Sequence, residues 1–534
     1  MGIAVPRGAV GLDVCRCAGG GARAAQTPRA IAIERVLAWG LAVAVAAIAL
    51  AEGSRAVSAS DSYGYVSQAE LWLNGDLTVE QSLAADAPWP DADRTFAPLG
   101  YLPQPGVAHT LVPSYPAGLP IVLAAASRLG GAAAMFWVVP LAAGVLVLAA
   151  YGLGRRLAGG GAGLAAAWLV ATSPVVIAQS VVVMTDVPVA AAWTGAAFFV
   201  LGPGVRSAFV AGLCAGLGVL IRPNLVPIAA VLAGVYLPAL AGTDDRRAVA
   251  RQAIAFALGA APGVIAVAAI NASLYGSPLA SGYGGIAGLF DPARVWTNLR
   301  LYLTWFAQMH AVLPLAGLVA LFLPPRLLPW SNGGRRALPF MAASVAVLWL
   351  MYAAWLVFDD WLFTRFLLPS WPLIMTGAGA VAVAASRYRV IGGWAAVVVL
   401  AIGVANLKTN ADYRTLTFGR NEDRYVAAAQ LTRQHVPPNG VVFSLLHSGT
   451  VRHYSGLTTL NYRYLEGAWL DRSVAWLQAK GVKAYALLDD SELPEFRTRF
   501  AGAAALHALE RPPVAQMQDG EATSLFELAA TRVP

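Results

Sequence analysis

The sequence predicts a mainly α protein, a polytopic bundle of about eleven membrane-spanning helices with a small extracytoplasmic α/β domain at its C-terminal end. Three observations predict it. Hydrophobic residues fill 58% of the 534 positions and charged residues only 12%, about half the ~25% usual in soluble domains. No Asp or Glu lies between Arg94 and Asp186, and only Asp244, Asp245 and Asp291 occur between there and Asp359. Apolar runs approaching the ~20 residues that cross a bilayer therefore follow one another. Beyond 408 the composition changes to balanced charge and soluble patterning.

The spans fall near 36–51, 132–153, 162–183, 187–201, 208–221, 225–240, 253–270, 301–323, 338–358, 366–385 and 390–407. Arg7, Arg16, Arg23, Arg29 and Arg35 precede the first. Arg155-Arg156, Arg206, Arg246-Arg247-Arg251, Arg326 with Arg335-Arg336, and Arg387 with Arg389 then occupy every second loop. Basic residues mark the cytoplasmic side, so the N-terminus is inside and the C-terminus outside, in the plasma (inner) membrane. Counting 118–126 as a span would put Arg155-Arg156 outside, so that run is read as a helix lying on or dipping into the outer face. The division expected is a disordered cytoplasmic tail over 1–35, a transmembrane domain over 36–407 with a large outer loop at 52–131, and an extracytoplasmic domain over 408–534. A second, Gly-rich outer piece covers 271–300. The first apolar run has no convincing cleavage site and is read as a retained anchor.

The tail alternates helix and strand. A helix over 422–434, the turn Pro437-Pro438-Asn439-Gly440, a strand over 441–446, a helix over 471–480 ending at Gly481, and strands over 482–488 and 524–528 make a small α/β unit. The net charge of +8 is dispersed between apolar runs, which excludes a nucleic-acid stripe. Cys15, Cys17 and Cys214 form no disulfide framework, and His435, His447, His453 and His507 lack metal-ligand spacing.

Candidate chemistry gathers at the outer ends of spans. The first outer loop opens Ser60-Asp61-Ser62-Tyr63-Gly64-Tyr65, with Tyr65, Ala69, Trp72 and Leu73 on one face and Asn74-Gly75 as the stop. This reads as a short amphipathic helix on the membrane surface, with Asp61 either its cap or a catalytic carboxylate. Asp186, the lone acid of its region, either starts a helix ahead of Pro188 or pairs with substrate, because an ionisable group at a membrane boundary is costly unless partnered. Arg222 sits at an Arg-Pro turn. Arg365 either snorkels, pairs with Asp359 or Asp360, or clamps a phosphate bidentately. His109 is a loop ligand or base, or neither; Tyr63 and Tyr65 are taken with Asp61 as substrate contacts. Tyr115-Pro116 reads as a rigid bend.

The order of these elements resembles the GT-C superfamily of polyprenyl-phosphate-dependent glycosyltransferases. The motifs are the Asp61 loop, Tyr115-Pro116 to Leu119-Pro120, Arg155-Arg156, Thr185-Asp186-Val187-Pro188, Arg222-Pro223, Tyr275-Gly276-Ser277-Pro278 and Arg365-Phe366-Leu367-Leu368-Pro369. Protein mannosyltransferases and lipid A aminoarabinose transferases are the nearest members, and the resemblance covers roughly 36–407. It implies a catalytic Asp61, a second acid at Asp186 and a lipid-phosphate site at Arg365. It also implies a polyprenyl-phosphate-sugar donor and a lipid, glycan or protein acceptor. The first-loop motif lacks the adjacent second acid of some members, which leaves a divalent metal ion the one cofactor in question. A transporter or lipid flippase is the alternative reading.

Overall fold

The computed structural model describes residues 27–237, 246–284, 288–388 and 392–529. Most of the expected N-terminal tail, together with Asp244, Asp245 and Arg389, lies outside them.

Seven helices among the described residues are individually long and apolar enough to cross a membrane: Pro28–Glu52, Ala132–Ala158, Gly204–Ile221, Arg246–Tyr275, Asn332–Ala353, Trp361–Ala385 and Gly393–Asp412. Several turn toward the outside residues that water would not tolerate as a patch, among them Val36, Trp39, Leu258, Ile265, Val398 and Val404. Apolar faces of this extent belong against lipid. The chain is an integral membrane protein.

The eleven apolar segments read from the sequence all contain helix, but not all as single rods. The segment at 162–183 divides into Gly160–Ala171 and Pro174–Ser180, bent by 58°. Ser173 caps the second piece by accepting from the Val176 N–H at 3.4 Å, and Pro174 occupies its first turn. The segment at 301–323 divides into Val295–His310 and Val312–Phe322. Pro314 has no N–H and would clash with the His310 carbonyl in a continuous helix, and Ala311 takes the strain at φ 61. Ser173 Oγ and His310 Nε2 lie 2.8 Å apart, so the two breaks are bonded to each other. Asp186–Val200, Pro223–Tyr236 and Gly118–Gly130 are shorter apolar helices.

The outer loop contains the helix Asp61–Leu73 and three short strands, β1 (Val79–Glu80), β2 (Tyr101–Pro103) and β3 (Thr110–Pro113), antiparallel in the order β1-β3-β2. Asn74 and Gly75, the latter at φ 88, end the helix as expected. The helix is not a half-solvated surface element. Ser62, Tyr63, Gly64, Tyr65, Val66, Gln68 and Ala69 are all buried, because it packs on Gly118–Gly130 on one side and on the helix Ser448–Ser455 on the other. A reading confined to nearest neighbours in sequence had no cover for its polar side.

That cover is the C-terminal unit, a five-stranded sheet. Its strands are β4 (Val441–Phe443), β5 (Thr458–Leu460), β6 (Ala484–Asp489), β7 (Ala515–Asp519) and β8 (Glu521–Leu528), in the order β5-β4-β6-β8-β7. β5, β4 and β6 run parallel, and β8 joins β6 and β7 antiparallel. β6 is buried throughout. Its Ala484, Ala486 and Leu488 enter one apolar core and Tyr485 and Leu487 another, the period-two alternation of a strand covered on both faces. The first of these cores also takes in Ala84, Trp89 and Phe96 of the outer loop. Polar bonds reinforce the junction: Arg452 donates to the Phe96 carbonyl and, at 2.8 Å, to that of Thr459, Asn461 N–H donates to Thr95 O at 2.6 Å, and Val57 N–H donates to Tyr454 Oη at 2.9 Å. Loop and tail therefore share one hydrophobic core above the helix bundle.

Candidate active site

Three chain segments meet where the first helix ends. After Glu52 the backbone turns at Gly53, and Ser54 N–H donates to the Val181 carbonyl at 2.7 Å. Gly419 of the tail comes so close that a Cβ there would strike Glu52 O, Ser54 N and Val181 O. These contacts frame a cavity of about 670 Å³, within the range usual for small-molecule sites. Ser58, Asp61, Gln179, Arg365, Glu422 and Glu521 are among the residues lining it. The outer loop supplies Ser58 and Asp61, and the bundle Gln179 and Arg365. The tail supplies Glu422, at the start of the helix Asp423–His435, and Glu521, the first residue of β8 after its turn from β7.

Asp61 is the first residue of its helix, where the helix dipole favours a carboxylate. Ser60 takes the N-cap position without a side-chain capping bond. The Asp61 carboxylate is held from two sides instead. Tyr115 Oη donates to Oδ1, and the Arg365 guanidinium stands 3.6 Å from Oδ2. The Tyr115 hydroxyl also meets Ser60 Oγ at 2.7 Å. Burial, with the charge of Asp61 behind it, pushes the Tyr115 hydroxyl well above its ordinary range, so it remains a donor at neutral pH. Gly64 makes this contact possible, because any Cβ there would lie within 2.5 Å of the Tyr115 ring.

Arg365 comes from the turn-rich helix Trp361–Ser370. It does not pair with its sequence neighbours: Asp360 accepts from the Leu362 N–H at 2.7 Å, and Asp359 from Trp305 Nε1 at 3.2 Å. The helical path turns Arg365 inward to Asp61, and its Nε is buried without a partner among the described residues.

A second ion pair lies alongside. Arg222 is bonded to Asp186, which is 1% exposed, and its Nε donates to Thr185 Oγ1 at 3.3 Å. Asp186 Oδ2 and Arg222 Nη1 have no partner among the described residues. Phe366 stands beside both cations, its centroid 5.4 Å from Arg365 Cζ and 5.8 Å from Arg222 Cζ. Tyr65 lies beside the pairs, its ring 4.8 Å from that of Tyr115.

The structure thus brings Asp61, Tyr65, Asp186, Arg222 and Arg365 together. It does not bring in Tyr63 or His109. Tyr63 lies two residues, about 200°, around the helix from Tyr65 and packs against Gly449 and Tyr101 of the opposite side. His109 is a positive-φ residue before β3 whose Nδ1 lies 3.0 Å from Asp93. Tyr115, Gln179 and Glu422 are the members the sequence reading passed over. Among the described residues no three His, Cys, Asp or Glu converge, and Asp61 and Asp186 are each engaged by a different arginine. These residues do not fit a metal site.

Residues 30–201 match the family model of oligosaccharyl transferase STT3, N-terminal. Among solved structures, ArnT from Cupriavidus metallidurans bound to undecaprenyl phosphate is similar over 93% of this chain and 98% of its own, with 13% identity and a TM-score of 0.56. The chain has a GT-C-like fold. The Archaeoglobus fulgidus oligosaccharyltransferase in its apo form is similar over 85% of this chain and 70% of its own, with 14% identity and a TM-score of 0.58. Its complex with zinc and sulfate gives 92%, 73%, 14% and 0.52. Among curated proteins, none matches by sequence. In this GT-C-like frame Asp61 opens the first loop and Asp186 starts a later short helix, both facing the tail side of the bundle.

Tyr115→Phe removes the donor to Asp61 while keeping the ring packed over Gly64. One hydrogen bond to a charged group is worth about 1.5–3 kcal/mol. The expected outcome is a kcat roughly tenfold or more lower for a reaction that uses the Asp61 carboxylate, with folding unchanged. An unaltered kcat would mean that Tyr115 only packs.

Proposed function

We propose that this protein transfers a sugar, a hexose or pentose, from a polyprenyl-phosphate carrier to an acceptor hydroxyl at the outer face of the plasma membrane, with inversion at the anomeric carbon. The observation that carries the reading is the Asp61 carboxylate, held between Tyr115 and Arg365 and open to a cavity roofed by the tail. A fold shared with ArnT bound to undecaprenyl phosphate supports it. Asp61 takes the proton of the acceptor hydroxyl, whose oxygen attacks the anomeric carbon. The bond from that carbon to the phosphate oxygen breaks, and polyprenyl phosphate leaves with the electron pair. Arg365, only loosely paired at 3.6 Å, and Arg222 beside it stabilise the charge on the leaving phosphate in a site shielded from bulk water. The carrier lies in the membrane, and the acceptor is a lipid, a glycan or a protein.

Purified protein in lipid is tested with a panel of radiolabelled polyprenyl-phosphate sugars, scoring label released from the lipid; release from none of them overturns the reading. Sidedness is tested by fusion. A reporter after Pro534 is expected to be active only outside the cytoplasm, and one after Arg247 only inside. A cytoplasmic C-terminus would remove Asp61 from the outer face, because both depend on the same alternation of basic loops.

A further inference from the structure

We propose that Gln179, Ser58 and Glu422 form a subsite of the Asp61 cavity that binds the hydroxyl groups of a sugar bearing no carboxylate. The inference rests on the transferase reading above and names its substrate class.

Gln179 belongs to the short helix Pro174–Ser180, and the break at Ser173 and the 58° bend set that helix against the cavity. Its side chain lines the cavity yet is only 4% exposed, and its Oε1 has no hydrogen-bond partner among the described residues. A buried acceptor without a donor is destabilising; at a cavity wall, a ligand supplies the donor. Ser58 Oγ donates to Glu422 Oε2, which fixes that carboxyl on the same cavity. Burial raises the Glu422 carboxyl above its ordinary range, and the charge of Asp61 adds to this. It therefore accepts from a partner when ionised and donates to one when protonated. A carboxamide and such a carboxyl are both matched by a group that donates and accepts, which is a hydroxyl.

The surrounding charge selects against acids. Asp61, Glu422, Asp519 and Glu521 line the cavity, against Arg365 and Arg424. Arg365 is engaged by Asp61, and Arg424 by Asp489 at 3.4 Å and Glu521 at 3.3 Å. A sugar carboxylate would enter an excess of negative charge, and among the described residues both arginines of the cavity wall are already engaged by carboxylates. The unsatisfied group is a neutral amide, and Ser58, Tyr115, Arg365 and Arg424 already answer carboxylates of the cavity.

The test uses the full-length protein in nanodiscs and three probes: bare undecaprenyl phosphate, and the same lipid bearing an uncharged hexose or a uronic acid. The hexose lipid is expected to bind roughly tenfold or more tighter than the bare lipid, a difference of one decade in Kd. Gln179→Met, of similar length but without the amide, is expected to abolish most of that gain and leave bare undecaprenyl phosphate bound as before, which also shows that the variant is folded. If Gln179→Met does not reach the membrane, Ser58→Ala, outside the bundle, is expected to give a smaller loss of the same kind. The subsite is overturned if the hexose adds no affinity, if both variants keep the full gain, or if the uronic acid lipid binds tightest. Failure of the wild type to bind bare undecaprenyl phosphate would instead overturn the transferase reading, and the subsite with it.

Discussion

Asp61→Asn is expected to lower sugar transfer per folded molecule by about 10²–10⁴-fold, the usual worth of a positioned general base. The substitution keeps the shape of the side chain, and its amide oxygen still accepts from Tyr115. Asn is about as good as Asp at a helix start, and the dipole loses only about 0.3–1 kcal/mol of favourable charge. Expression, folding and binding of the lipid donor are expected to persist, because Arg365 remains beside the site. Loss of transfer with donor binding intact separates a base from a cap. A wild-type-like rate in the variant would leave Asp61 as a structural residue and remove the chemistry from the cavity.

Arg365→Lys is expected to weaken use of the lipid donor, read as a rise of roughly tenfold to a hundredfold in the donor KM. A lysine keeps the charge but loses the planar fork that meets phosphate with two parallel hydrogen bonds, each worth about 1.5–3 kcal/mol. The guanidinium here is also positioned by Phe363 and Phe366, whose centroids lie 5.6 and 5.4 Å from Cζ, and an ammonium on a flexible stem would not be held in the same way. Acceptor KM is expected to change little. An unchanged donor KM would mean that Arg365 serves only to neutralise Asp61.

How far these residues were legible in the sequence depended on the range of the interaction that sets them. Asp61 could be found because a lone acid at a helix start just beyond an apolar span is a local pattern, and Asp186 because it stands alone in an acid-free region. Arg365 was visible as an arginine at a span mouth, but Asp359 and Asp360 were its nearest acids in sequence. The pairing with Asp61 arises from tertiary packing that no periodicity encodes. Tyr115 was read as part of a Pro-Gly bend. What makes it functional is Gly64, whose missing side chain admits its ring. The separation of Tyr63 from Tyr65 was available in principle, since residues two apart point to opposite sides of a helix. The strands β4, β6 and β8 and the helices Asp423–His435 and Leu470–Ala479 followed from alternation and turn residues. Their placement over the first-loop helix did not, and with it Glu422 passed as an ordinary helix start. Likewise, Ser173-Pro174 inside an apolar run carries a break signal, but only the three-dimensional path shows that the break brings Gln179 to the cavity.

A transferase consumes the lipid donor chemically, whereas a flippase only moves it across the bilayer. Proteoliposomes containing the wild-type protein, a sugar-labelled undecaprenyl-phosphate donor and a hydroxyl acceptor distinguish the two by mass spectrometry of the lipid. Free undecaprenyl phosphate is expected to accumulate one for one with sugar joined to acceptor, with the anomeric configuration inverted, and Asp61→Asn is expected to abolish both. Donor recovered intact on the opposite leaflet, with no undecaprenyl phosphate formed, would contradict transfer and identify a flippase.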